Sequence, residues 1–153
     1  MFRGDDLMRT VALRFAENFA PECGTIAAHL QFIEKFGHVW YGKLGSAVSF
    51  KTSVEILNSD DPKILLIHSG GQDRWWAHIE KIQREVPPLE EIPDYYRKSA
   101  DDFGCWFKVN LFEPADKSVM SQCVVASSGK ALSSASRHSM SPYFIIDYNP
   151  VDS

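Results

Sequence analysis

The sequence lacks any apolar segment of the length that a membrane-spanning helix needs, which is about 20 residues. Its start, Met1 to Asp6, also lacks the apolar core of a secretory signal peptide. We therefore expect a cytosolic protein without a membrane segment. A length of 153 residues is typical of a single domain, so we expect residues 1–153 to fold as one unit.

Cysteine is scarce and poorly placed for metal binding or cross-linking. Cys23, Cys105 and Cys123 are widely spaced, and no C-x-x-C pair occurs, which argues against a zinc knuckle and against a disulfide framework. The five histidines form no i,i+4 pair and no H-E-x-x-H motif. The sequence thus predicts buried free thiols and no metal or other cofactor.

Clustered positive charge is also missing. The net charge is −4 and the calculated pI is near 5.7, and no segment is polybasic. Tight, sequence-independent binding to a duplex backbone is therefore not expected, although a local basic groove is compatible with this composition.

Aromatic residues, in contrast, are present as four Trp, five Tyr and ten Phe. Large planar side chains either fill a core or line a pocket for a planar ligand, so each candidate below has both interpretations.

Hydrophobic periodicity predicts both strands and helices. Period-two alternation predicts strands over residues 9–15, 74–82 and 105–112, and the continuous apolar run 64–67 predicts a buried strand. Residues 144–148, ended by Asn149-Pro150, read as a last strand, and residues 38–45 as an extended segment closed by glycines. Helical spacing predicts helices from Thr25 to just before Gly37 and from Ser49 to Leu57. The proline-rich residues 86–97 read as an ordered crossing loop, and the serine-rich residues 127–141 as a mobile loop or weak helix.

This order of elements predicts an α+β fold. Strands cluster in the second half of the chain and helices occur early, which is typical of a bent mixed sheet or a small β-barrel flanked by short helices.

Polar groups follow the central apolar strand directly. His68, Ser69, Gly70 and Gly71 stand where a rigid scaffold could present a donor, an acceptor and closely approachable backbone to a ligand. The alternative interpretation is an ordinary hairpin turn, because Ser and Gly are common turn residues.

A second candidate group is aromatic. Trp40 and Tyr41 precede Gly42, and Tyr95 and Tyr96 lie in the proline-rich loop. Recognition of an unstacked base needs aromatic faces for stacking and polar groups for its edges. The alternative is that Trp40 is a core residue and that the tyrosines anchor the loop.

The returning strand carries a third group. Arg74, Trp76, His78 and Glu80 alternate along one face of residues 74–82, and this face either is solvated or borders a groove. Glu80 and Lys43 could act as acid and base only if the fold brought them together.

The central third of the chain resembles the PUA-like superfold and, within it, the EVE family, whose relatives are the ASCH, YTH and SRA groups. The resemblance is carried by Trp40-Tyr41-Gly42, the strand end Ile67-His68-Ser69 and the return strand Trp76-Ala77-His78-Ile79. Residues 43–48 replace the asparagine- and arginine-bearing segment of that family, and Ile67 stands where an aromatic is usual.

The resemblance implies a pocket for a flipped, often modified base. Pocket residues would be Trp40, His68 and Ser69, and the candidate ligand-binding set from all these observations is Trp40, Tyr41, Gly42, His68, Ser69, Gly70, Trp76, Tyr95 and Tyr96.

The leading hypothesis is a non-catalytic module that binds a modified nucleobase in single-stranded or flipped-base RNA or DNA, or a nucleoside-like small molecule. The second hypothesis is an ASCH-like amidohydrolase or ribonuclease with Lys43 as base, Ser46 or Ser69 as polar partner and Glu80 as acid. The third is a protein-interaction domain without a pocket. The sequence leaves the oligomeric state open.

Overall fold

The computed structural model describes residues 8–15, 25–68, 74–98, 100–116, 118–138, 141 and 143–149. Its strands are β1 (Met8–Phe15), β2 (Val39–Leu44), β3 (Lys63–His68), β4 (Arg74–Gln83), β5 (Phe103–Pro114), β6 (Cys123–Val125) and β7 (Tyr143–Tyr148). Its α-helices are α1 (Thr25–Phe36), α2 (Phe50–Leu57), α3 (Asp94–Arg97), α4 (Val119–Gln122) and α5 (Leu132–His138).

The strands form one mixed sheet in the order β2-β5-β4-β3-β1-β7-β6. β1 and β3 are parallel, and every other neighbouring pair is antiparallel. The predicted α+β class with a mixed sheet is confirmed. Of the two predicted forms, the described strands make the open sheet, because β2 and β6 remain its edges and do not pair to close a barrel.

The middle of the sheet is buried on both faces. Leu13, Ile64 and Leu66 point to the face that packs against α1 and α2, whereas Leu65 and Ile67 point to the face covered by α4 and α5. Strands covered on both faces are apolar at every position, which explains why residues 64–67 form a continuous apolar run.

Most predicted elements are confirmed with small shifts in their ends. The helix from Thr25 ends at Phe36, and α2 begins after Ser49, whose Oγ accepts a hydrogen bond from the backbone N–H of Thr52 at 3.1 Å. The crossing loop contains a 3₁₀ turn, Leu89–Glu91, and α3. The weak-helix interpretation of the serine-rich segment is confirmed for α5.

Three of the described helices and strands were not predicted: α3, which lies in the segment read as a loop, α4 and β6. β6 has three residues and α4 has four, so neither is long enough to show a hydrophobic period.

The crossing loop packs on the outer part of the sheet, at the β2 edge. Its Ile92 and Tyr96 pack with Trp40 of β2 and with Phe103 and Trp106 of β5 in an aromatic cluster, which also includes Ala100. This cluster holds the edge strand β2 in place, and the chain runs from β2 through residues 45–49 into α2.

The path of the segment between β2 and α2 depends on a glycine in β5, Gly104. A Cβ at Gly104 would collide with the carbonyl oxygen of Gly45 and would lie 2.7 Å from the backbone nitrogen of Ala47. The segment that connects β2 to α2 can therefore pass over β5 only where a side chain is absent.

We expect Gly104→Ala to lower the free energy of unfolding by about 3 kcal/mol, because backbone atoms must move to admit the methyl group. Gly129→Ala is the control, since Gly129 has φ 73° with open space around it and should lose only about 1 kcal/mol from its left-handed backbone. Urea denaturation measures both. Equal losses in the two variants would contradict the close approach at Gly104.

Candidate functional site

Trp40 is almost fully enclosed. It lies in the aromatic cluster with 4% of its surface exposed, and its indole Nε1 donates a hydrogen bond to Glu91 Oε1 at 3.0 Å. Nε2 of His38 lies 2.6 Å from the same carboxylate oxygen. Little of the Trp40 ring is open to a base in this conformation, so base stacking by Trp40 stays a prediction.

The neighbours of Trp40 divide between two faces of the sheet. Tyr41 points into the core beside His29, with ring centroids 5.1 Å apart. Gly42 faces Phe103, whose Cδ1 would lie 2.7 Å from a Cβ at that position. Tyr96 is 5.3 Å from His29 and 5.8 Å from Trp106, so it joins the core to the aromatic cluster.

The remaining predicted residues lie elsewhere. Trp76 is buried on the α4–α5 side, 4.8 Å from the ring of Tyr148, with Lys63 Nζ 4.6 Å from its own ring. His68 ends β3, where its backbone is in register with Phe15. The side chains of His68 and Tyr95 lie outside the described residues, as do Ser69, Gly70 and Gly71.

Strand register separates Trp40 from the end of β3. Trp40 is opposite Lys108, which is opposite Lys81 near the end of β4, whereas Ile67 is opposite Arg74 at the start of β4. These two positions on β4 are about 23 Å apart along an extended strand at roughly 3.3 Å per residue. The sheet therefore does not place Trp40 and His68 side by side.

Lys43 and Glu80, the proposed base and acid, face opposite sides of the sheet. Lys43 is 7% exposed, and its Nζ donates to the carbonyl oxygen of Ser46 at 2.6 Å. Glu80 instead pairs with Lys108 at 3.0 Å on the face that carries Trp40. The condition for their joint action, proximity, is not met.

A cavity of about 880 Å³ lies between α2, β7 and the segment that runs from β6 to α5. Its cationic lining residues are Arg9, Lys51 and Lys130, and its aromatic ones are Tyr143 and Phe144. The serines of the lining are Ser127, Ser128, Ser134 and Ser141. Sequence reasoning missed this site.

The cavity carries excess positive charge. Arg9 is neutralised by Asp147, with nitrogen–oxygen distances of 2.8 and 2.9 Å. Lys51 and Lys130 form no ion pair with any described residue, and Glu55 supplies the single carboxylate of the described lining. An anionic group can therefore enter without displacing an existing partner of either lysine.

A buried lysine supports one wall. Lys43 Nζ lies 4.2 Å from the ring centroid of Tyr143, a cation–π contact that holds the ring in place. Burial lowers the pKa of Lys43. Lys43 thus supports the cavity wall, and its role as a base stays a prediction.

The missed residues had one weak signal in the sequence. Lys130, Arg137 and His138 interrupt a run of serines, and cations among small hydroxyl groups are compatible with anion binding. Nothing in that spacing indicated that α2 would lie opposite.

Metal coordination has no support in the part of the chain that the structure describes, where no three His, Cys, Asp or Glu side chains cluster as ligands. Among the same residues, no helix is both long and apolar enough to cross a membrane.

A comparison with known families matches residues 11–142 to the Pua-like family, and the chain belongs to that family. No curated protein and no solved structure matches the sequence. The superfamily resemblance is thus confirmed, while the EVE-type assignment stays a prediction.

We expect Trp40→Ala to lower the free energy of unfolding by about 3 to 5 kcal/mol, the usual loss for truncating a buried tryptophan. Phe36→Ala, at an exposed aromatic on α1, is the control and should cost much less. Denaturation is measured beside an oligonucleotide titration. A stable Trp40→Ala variant that loses about 1 to 3 kcal/mol of binding would instead assign Trp40 to base stacking.

The carboxylate of Glu91, which accepts the hydrogen bond from Trp40, predicts that the stability of the fold depends on pH. The hydrogen bond from His38, followed by that from Trp40, holds the pKa of Glu91 below its ordinary value. The resulting stabilisation is complete above the ordinary glutamate pKa of about 4.3, and it is lost as the pH falls through the lower pKa of the folded state.

The free energy of unfolding of the wild type should exceed that of Glu91→Gln, and this stability gap should be largest near neutral pH and should shrink in acid. Glu90→Gln, at the exposed neighbouring glutamate, should follow the wild type throughout. Thermal unfolding across the acid range measures the gap. A gap that does not change with pH would contradict this role of Glu91.

Proposed function

We propose that the protein is a nucleic-acid-binding module that takes a base of a single-stranded or flipped segment, in a modified form, into the cavity between α2 and β7. Two observations support this function. PUA-like domains commonly bind nucleic acids, and the cavity combines unpaired lysines with aromatic and hydroxyl groups. The second observation carries the proposal, because it is particular to this chain.

The positive charges of the first cavity suit a phosphate group bound at its rim. Lys51 and Lys130 are exposed, so their ammonium groups can reach a backbone phosphate while remaining hydrated. With a net charge of −4 the protein as a whole does not attract nucleic acid, so affinity has to come from local contacts.

The inner lining suits the edge of a base. The hydroxyls of Ser127 and Ser134 have no hydrogen-bond partner among the described residues and can donate or accept. The carboxylate of Glu55 can accept from an exocyclic amino group, as acidic side chains do with cytosine. A volume of about 880 Å³ leaves room for a substituent on the base.

The residues predicted from the sequence keep a place in this proposal. His68, Ser69, Gly70 and Tyr95 remain predicted ligand contacts. Trp40, Tyr41, Gly42, Trp76 and Tyr96 pack within the sheet and its crossing loop, so we expect their substitution to lower stability. Direct contact of these residues with the base stays a prediction from the sequence.

We expect the double variant Lys51→Ala, Lys130→Ala to bind single-stranded oligonucleotides more weakly and with less salt dependence. Each lost phosphate contact on a single strand lowers the slope of log affinity against log salt by about 0.7, so the double variant should lose about 1.4. Fluorescence anisotropy with unmodified and base-modified RNA and DNA, at low and at physiological salt, measures both quantities.

Lys98→Ala is the matched control, because Lys98 is an exposed lysine outside the cavity. Absence of wild-type binding to every oligonucleotide at low salt would overturn the function. Equal losses in the control and the double variant would overturn the location of the site. A modified base that binds no better than the unmodified one would remove the part of the proposal that concerns modification.

A further inference from the structure

Helix α2 presents two different faces to two cavities. Lys51, Thr52 and Glu55 line the cavity described above, whereas Phe50, Ser53, Val54 and Leu57 line a second one. The second set follows the i, i+3, i+4, i+7 spacing of a single helical stripe. The helix is thus the partition between two neighbouring openings, and its diameter with side chains is about 10 Å.

The second cavity, of about 550 Å³, has an apolar floor and a charged rim. The floor includes Val48, Leu57 and Ile82, and the rim carries Lys81, Arg84 and Glu85. Neither Lys81 nor Arg84 forms an ion pair with a described residue. The rim therefore has more positive charge than negative, and it suits an anionic occupant.

Phe50 stands at the edge of this cavity with 79% of its surface exposed. An exposed aromatic beside unpaired cations is the combination that binds single-stranded nucleic acid, since the ring stacks on a base and the cations meet the backbone. Duplex DNA or RNA cannot use such a ring, because its bases are already stacked on one another.

We propose that the strand whose base enters the first cavity continues across α2, stacks a base beyond the adjacent one on Phe50, and sets its phosphates against Lys81 and Arg84. This inference rests on the proposed function and narrows its ligand to a single strand longer than the bound nucleotide. Positive charge at the rim suits any anionic chain, and the exposed ring of Phe50 together with the helix shared with the first cavity supports nucleic acid as the occupant over an acidic peptide.

The test titrates the full chain with two lengths of the same homopolymer, a uridylate dinucleotide and an oligouridylate long enough to cross α2. NMR and fluorescence anisotropy measure the affinity for each length. The wild type should bind the longer strand more tightly. Phe50→Ala should lose roughly 5- to 150-fold in affinity for the longer strand, the effect of removing one aromatic–base stack, and should bind the dinucleotide as the wild type does. Phe50→Tyr, which keeps a ring, should retain the affinity for the longer strand.

The outcomes separate the two claims. If the wild type binds neither length at low salt, the path across α2 is wrong, and the proposed function fails as well if the base-modified oligonucleotides do not bind either. If it binds both and Phe50→Ala changes neither affinity, the function stands and the path across α2 is wrong. The path is also wrong if duplex RNA of the same length competes as well as the single strand. A poly-glutamate peptide that binds the wild type but not Phe50→Ala, without competition from the oligonucleotide, would assign the second cavity to a protein partner.

Discussion

Burial of both faces of the parallel pair β1 and β3 is the constraint on which the rest of the structure depends. Neither strand has a face left for solvent, so helices have to cover each side of the sheet. Coverage by α1 and α2 on one side and by α4 and α5 on the other brings α2 alongside β1. The turn after β6 lies alongside β7, where the backbone N–H of Ala126 donates to the carbonyl oxygen of Ile145. The candidate cavity is the gap between these covering elements.

This origin explains why the cavity residues come from distant parts of the chain. Lys51 is placed by the helix that covers the core, Lys130 by the turn after β6, and Tyr143 by the first residue of β7. Lys51 and Lys130 are exposed and take no part in the core, so their charge is free to serve a ligand, whereas Tyr143 is partly buried and packs against the core. Trp40 is different, because its ring packs with Ile92, Tyr96 and Trp106 and its only polar atom is bound by Glu91.

Local signals predicted much of the fold. Alternation identified β1 and β5, helical spacing of apolar residues identified α2, and the apolar run 64–67 identified a buried strand. The open form of the sheet and the short elements α4 and β6 depend on long-range pairing, for example Cys123 with Tyr148, which no local pattern encodes. The candidate site was harder still, because a prominent motif such as Trp40-Tyr41-Gly42 indicates aromatic residues equally well for a core and for a pocket. Burial, which decides between the two, is a property of the assembled fold.

A map of amide chemical shifts during titration with a short single-stranded oligonucleotide locates the bound nucleic acid. Binding beside α2 requires shifts concentrated in α2, in residues 125–130 and at the start of β7, with little change around Trp40 and Glu91 on the other face of the sheet. Shifts confined to that other face, or none at all, would contradict it.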